Sequence, residues 1–196
     1  MRKLCLLFLL IGTYCYAGER KYTVDSPDGK IQLAIIQTDA GELTYQLSVK
    51  RKQVIDASAL GFKTEDGLTF PFRGWKMGKV TRNKVNSVWK PLWGKRAVVP
   101  DKYNEMKLSF VNEAKSSDAL EVVARAYNEG VAFRYVSPQD AGSALELTTF
   151  NFAGDYTAWF YNGERHNIGP ERLTETDGER LPVMTVKAAD DLYLAV

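Results

Sequence analysis

Residues 43–49 read LTYQLSV, with Leu43, Tyr45, Leu47 and Val49 on one parity and Thr44, Gln46 and Ser48 on the other. An extended chain sends successive side chains to opposite faces, so this alternation marks a strand with one face buried and one wetted. The period recurs at Ile31, Leu33 and Ile35. No segment keeps an amphipathic helical period for even about ten residues. Strand-like runs continue at VIDASALGF, MKLSFV, ALEVVARAY, VAFRYV, ALELTTFNF, YTAWFY, VMTVKA and LYLAV. Pro27 with Gly29, the run Ala40-Gly41-Glu42 and the pair Asp66-Gly67 supply turn chemistry between them. The pattern predicts an all-β antiparallel sandwich or barrel without internal repeats. The segment NGERHNIGPERLTETDGERL after YTAWFY is read as one long loop. The end on LYLAV is read either as a truncated domain or as an edge strand.

The first residues stand apart from this pattern. Arg2 and Lys3 precede an apolar run, Leu4 to Ile11, and small residues follow before Gly18. This is the plan of a secretory signal peptide over residues 1–17, cleaved after Ala17, with a domain over residues 18–196. The apolar run falls short of the ~20 residues that a membrane span needs. Acylation at Cys15 is disfavoured by Tyr14, which stands where a small residue is expected, and a buried N-terminal helix by the lack of amphipathicity. Cys5 and Cys15 both leave with the leader, so the secreted domain has no disulfide and depends on its core. Arg2 and Lys3 leave too, so 24 basic residues face 24 acidic ones. A balanced charge gives no reason to expect a nucleic acid or an anionic membrane as partner.

Three stretches concentrate chemistry. In AYNEGVAFRY (126–135), a three-residue turn Asn128-Glu129-Gly130 would set Arg125 opposite Phe133 and Arg134 opposite Ala124. The arginines are then read as braces, paired with a carboxylate or lying over an aromatic ring, in preference to a ligand site. The stretch VWKPLWGKRAVVPDKYNEM (88–106) holds Trp89, Trp93 and Tyr103. Exposed aromatics of this kind stack on sugar rings, yet the usual fate of tryptophan predicts that at least one of the two is in the core. TAWFYNGERHNIGPERLTE (157–175) is the densest polar stretch, with Glu164, Arg165, the only histidine His166, Glu171 and Arg172. A carboxylate there suits calcium if other oxygens join it. A solvated loop with mutually paired charges is the competing reading. A lone histidine makes no transition-metal site. With 24 acidic residues, some carboxyl pair always falls at a glycosidase-like spacing, so spacing alone identifies none.

The order of SPDGKIQLAI, LTYQLSV, VIDASALGF, then VWKPLWGKRAVVPDKYNEMKLSF, ARAYNEGVAFRY and DYTAWFYN resembles the N-terminal domain of glycoside hydrolase family 97, from about Tyr22 to Val196. The resemblance implies a β-super-sandwich (a galactose mutarotase-like antiparallel sandwich) packed on a catalytic (β/α)8 barrel. It implies secreted, periplasmic α-glucosidases or α-galactosidases acting on oligosaccharides or other α-glycosides. It also implies a calcium ion near the active site, with one glutamate from the loop after the AW strand. Glu164 in YNGERHN is the best match, and Glu171 is the second candidate. Trp159, Arg165 and His166 are the candidates to contact sugar. The acid and the base or nucleophile belong to the barrel, so residues 1–196 carry no catalytic residue and are expected not to hydrolyse glycosides alone. Two other readings stay open: a stand-alone carbohydrate-binding sandwich, and a structural or interaction domain without a ligand.

Overall fold

The computed structural model describes residues 19–196 apart from 66, 68, 72–74, 114–118, 138–141, 162 and 164–166. The expected signal peptide over residues 1–17 thus lies outside the described residues.

Two four-stranded antiparallel sheets face each other. The first is β1 (Arg20–Asp25), β2 (Ile31–Gln37), β3 (Leu43–Val49) and β4 (Lys52–Leu60), in that order. The second has the order β10 (Val131–Val136), β9 (Ala119–Tyr127), β8 (Val99–Asn112) and β7 (Trp75–Trp89). Leu33 pairs with Leu47 and Ile35 with Tyr45 across β2 and β3. They meet Met106, Leu108, Phe110, Val122 and Ala124 of the opposite sheet in one core. Each large apolar side chain buried this way contributes about 1.5–3 kcal/mol. The period-two reading of LTYQLSV therefore describes the inner face of this sandwich.

A small sheet closes one side, with β5 (Phe62–Thr64) between β11 (Ala144–Glu146) and β6 (Thr69–Phe70). Of the predicted strand ALELTTFNF only β11 is a regular strand. The rest runs beside β4, where Leu147 and Thr149 donate to Gly61 and Ala59, and Asp56 donates to Asn151. The fourth sheet has the order β13 (Asn167–Arg172), β12 (Thr157–Tyr161), β14 (Leu181–Ala189) and β15 (Leu192–Ala195). Its core of Ala158, Phe160 and Val186 is joined to the main one through Phe152 and Leu194.

Three further expectations need correction. The loop predicted after YTAWFY contains strand β13 and a 3-10 turn at Leu173–Glu175. Gly169 and Pro170 hide that strand in the sequence, but β13 is an edge, where the missing proline donor costs no ladder bond.

The turn in AYNEGVAFRY is also one residue shorter than expected. Tyr127 N donates to Gly130 O at 2.8 Å, and Gly130 does not adopt a positive φ. The loop is Asn128-Glu129, and the register sets Arg125 opposite Ala132 and Arg134 opposite Val123. Burial decides the register: Val131, Phe133 and Tyr135 then all pack on the core, whereas a one-residue slip would turn them outward. Both arginines consequently share the outer face.

Neither Trp89 nor Trp93 is in the core; they are 54% and 87% exposed. The buried tryptophan near them in sequence is Trp75, which packs edge-on against Phe70. The reason is sheet extent. β9 pairs with β8 only as far as Tyr103, while β7 and β8 stay paired out to Trp89 and Val99. The tryptophans lie on a two-stranded arm beyond the sandwich.

β7 itself carries no readable alternation. Its partners Phe110, Leu108 and Met106 face Met77, Val80 and Arg82, with a register shift between Met77 and Val80. A bulge flips the parity of the apolar positions there, so no single period-two pattern runs through the strand.

Candidate functional site

The outer face of the fourth sheet carries the candidate site. Along β12, Ala158 and Phe160 are buried, so Thr157, Trp159 and Tyr161 point the other way. Register sets Thr157 beside Arg172 and Lys187, and Lys187 beside Tyr193. Trp159 lies beside Thr185, which lies beside Ala195. The Trp159 and Tyr193 rings sit diagonally across this face, with centroids 6.4 Å apart and planes tilted by 34°. Tyr161 and Tyr193 are about half exposed. The result is an aromatic surface with hydroxyl and cationic neighbours. Rings of this kind offer an apolar face and a polar edge to a partner.

Gly169 fixes the tryptophan. Its φ is +113°, and a Cβ there would lie 2.5 Å from Ala158 O and 3.2 Å from Trp159 Cδ1. Only glycine lets β13 approach this closely beneath the indole.

Beside the rings lies a polar depression of about 450 Å³ lined by Lys52, Asp155, Thr157, Arg172, Lys187 and Asp190. Four of its charges form two pairs. Arg172 Nε donates to Asp155 Oδ2 at 2.8 Å, and Lys187 Nζ lies 2.8 Å from Asp190 Oδ1. The Thr174 backbone N–H, with Arg172 behind it, holds the Asp155 carboxyl below the ordinary carboxylate range. Arg172 is thus paired, but with Asp155, which precedes the stretch 157–175, and not with another charge inside it.

The predicted site residues separate. Trp159 is on the outer face. Glu171 pairs with Ala158, whose side chain is in the core, so it stands on the opposite face of the sheet from Trp159. Glu164, Arg165 and His166 lie outside the described residues. Tyr161 and Asn167, on either side of them in sequence, are paired across β12 and β13. Among the described residues no group of three or more His, Cys, Asp or Glu is placed to hold a metal ion. Calcium takes 6–8 oxygen ligands. Glu171 is one carboxylate, and the described residues by themselves do not fit such an ion.

Sequence reading missed Tyr193 as the partner of Trp159. The signal was present in LYLAV, where period two sets Tyr193 and Ala195 on one face. Arg125 and Glu105 form a second polar cluster, on the outer face of the second sheet. Arg125 Nε donates to Glu105 Oε2 at 2.8 Å, and its guanidinium lies 4.3 Å from the centre of the Tyr103 ring. Both bracing modes expected of this arginine are present together. Arg134 is exposed on the same face.

The fold is all β, and the described residues contain no helix long and apolar enough to cross a membrane. Fold and surface together define a class of antiparallel β-sandwich domain with an aromatic outer face on its fourth sheet. The chain belongs to glycoside hydrolase family 97: residues 24–195 match the model for the glycosyl-hydrolase 97 N-terminal domain. A retaining alpha-galactosidase from Bacteroides thetaiotaomicron is 22% identical over 216 residues, covering all of this chain and 31% of that protein. A probable retaining alpha-galactosidase from Streptomyces bingchenggensis is 29% identical over 166 residues, covering 82% of this chain and 26% of that one. Among solved structures, a family 97 enzyme from Pseudoalteromonas sp. strain K8 in complex with panose has a TM-score of 0.62 and 34% identity, over 71% of this chain and 22% of that one. The chain therefore spans a third or less of the length of these relatives.

Proposed function

We propose that this chain acts as the N-terminal sandwich of a secreted glycosidase that cleaves α-glucosides or α-galactosides. In this reading it forms one wall of the sugar pocket and contains no catalytic residue. The observation that carries it is the unbroken family match over residues 24–195. The relatives named as alpha-galactosidases and the panose complex support an α-linked substrate. Trp159 would stack on a sugar ring, and Arg165 and His166 would donate hydrogen bonds to its hydroxyls. Glu164 would lend one carboxylate to a calcium ion whose other oxygens come from the catalytic region. Bound there, calcium would supply Lewis-acid stabilisation of a leaving oxygen. Glu171 is the weaker candidate, because its strand register sets it on the face away from Trp159. The leader would route the protein to the periplasm.

The test is a chimera in which residues 24–195 replace the aligned region of the Pseudoalteromonas enzyme. Calcium affinity is read by calorimetry beside the hydrolysis rate. Glu164→Gln is expected to weaken calcium at least about tenfold, the scale seen on disturbing a metal's surroundings, and Glu171→Gln to leave it unchanged. The reverse order would overturn the assignment.

The Trp159–Tyr193 face also favours a second reading, a stand-alone sugar-binding sandwich. That reading requires isolated residues 18–196 to bind panose in calorimetry and to lose the binding on Trp159→Ser.

A further inference from the structure

The β7–β8 arm is the most exposed apolar feature among the described residues. Beyond Tyr103, β8 has no β9 partner, so residues 86–89 and 99–102 form a bare two-stranded ribbon. Its end exposes Val88, Trp89, Trp93 and Val98, and Leu92 is fully exposed. An isolated two-stranded ribbon is marginal in water, and a contiguous apolar tip on one marks a contact surface. The charge around it is mostly positive: residues 84–102 hold Lys84, Lys90, Lys95, Arg96 and Lys102 against one acid, Asp101. Across the whole secreted chain the two signs balance, so the arm is a local departure from that balance.

We infer that this arm is a docking element whose tip inserts Trp89, Leu92 and Trp93 into an apolar, acid-rimmed surface of the catalytic region. The inference rests on the family reading above and adds the place of contact. Two observations choose this occupant. The relatives carry more than two thirds of their length outside the part matched here, so a large polypeptide surface stands beside the domain in each of them. Tryptophan and leucine ringed by lysine and arginine then match an interface with an aromatic centre and a charged rim. Complementary rim charge fixes the register of such a contact. The Trp159 face is less suited to this role, because its tryptophan is already packed on Tyr193 and over Gly169.

Hydrogen exchange over residues 86–102 tests the inference in the same chimera, compared with isolated residues 18–196. Exchange is expected to be at least tenfold slower in the chimera. Both Trp89→Ser with Trp93→Ser and the charge reversal Lys90→Glu, Lys95→Glu, Arg96→Glu are expected to remove the protection. Grafting residues 84–102 alone into the aligned segment of the relative gives the same readout if the larger exchange fails to fold. Equal exchange in both settings, or protection that survives both variants, overturns the inference. So does co-sedimentation of the isolated chain with vesicles of phosphatidylcholine and phosphatidylglycerol, which would make the arm a membrane element. A protected arm in an inactive chimera would sink the functional reading alone. An unprotected arm in an active one would sink the docking inference alone.

Discussion

Glu105, with a side chain only 8% exposed, accepts a 2.8 Å hydrogen bond from Arg125 Nε across β8 and β9. The arginine lies over Tyr103 at 4.3 Å. A buried carboxylate that loses its cation keeps its desolvation cost without compensation. Arg125→Ala is therefore expected to destabilise the domain by about 3 kcal/mol, the low end of the range for broken buried pairs because the arginine is partly exposed. Urea unfolding measures this. A loss below about 0.5 kcal/mol, the usual scale of surface changes, would show that the pair is not a brace.

Burial pushes the Tyr45 and Tyr135 hydroxyls up to about 12. An unfolded tyrosine loses its proton near pH ~10, so the folded state holds these protons longer than the unfolded one. Their contribution is full below about pH 10 and is lost as pH rises toward 12. After allowance for solvent screening it amounts to about 1–2 kcal/mol for the pair. Tyr135→Phe is expected to flatten the fall in stability between pH 10 and 12 at little cost at neutral pH. Superimposable pH profiles for the variant and the parent would contradict the burial argument.

Gly169 supports Trp159 through a backbone conformation and a clearance that other residues lack. Gly169→Ala is expected to cost about 1–3 kcal/mol and to shift the Trp159 fluorescence, as β13 moves away from β12. An unchanged melting temperature and spectrum would mean that the edge strand yields freely.

Trp89 and Trp93 make the opposite case. Substituting serine for both in the isolated chain is expected to change stability by less than about 0.5 kcal/mol, because neither fills a core. A loss of several kcal/mol would place them inside the sandwich.

The sandwich was legible wherever a strand has one wet face. Ile31, Leu33, Ile35 and the LTYQLSV residues declare their inner face in sequence because each element keeps one parity from end to end. β7 does not, because its bulge between Met77 and Val80 exchanges the faces midway. The turn at Asn128-Glu129 was misread because local turn preference favours a glycine bulge, while the core needs Val131, Phe133 and Tyr135 on one side. The exposure of Trp89 and Trp93 was illegible for a related reason: it depends on where β9 ends, and that is a property of the neighbouring strand. At the candidate site, Trp159 stood out by its composition and setting. Tyr193 did not, because its pairing with Trp159 passes through β14. Glu171 stood second to Glu164 in a polar run, and only the pairing with Ala158 shows which face it takes.

The central claim is that this domain supports glycoside cleavage without performing it. The direct measurement is release of nitrophenol from nitrophenyl α-galactoside and α-glucoside by purified residues 18–196, with calcium present. The expected result is no turnover above buffer. Turnover proportional to protein concentration, surviving repurification, would contradict the account and place a complete catalytic site within these residues.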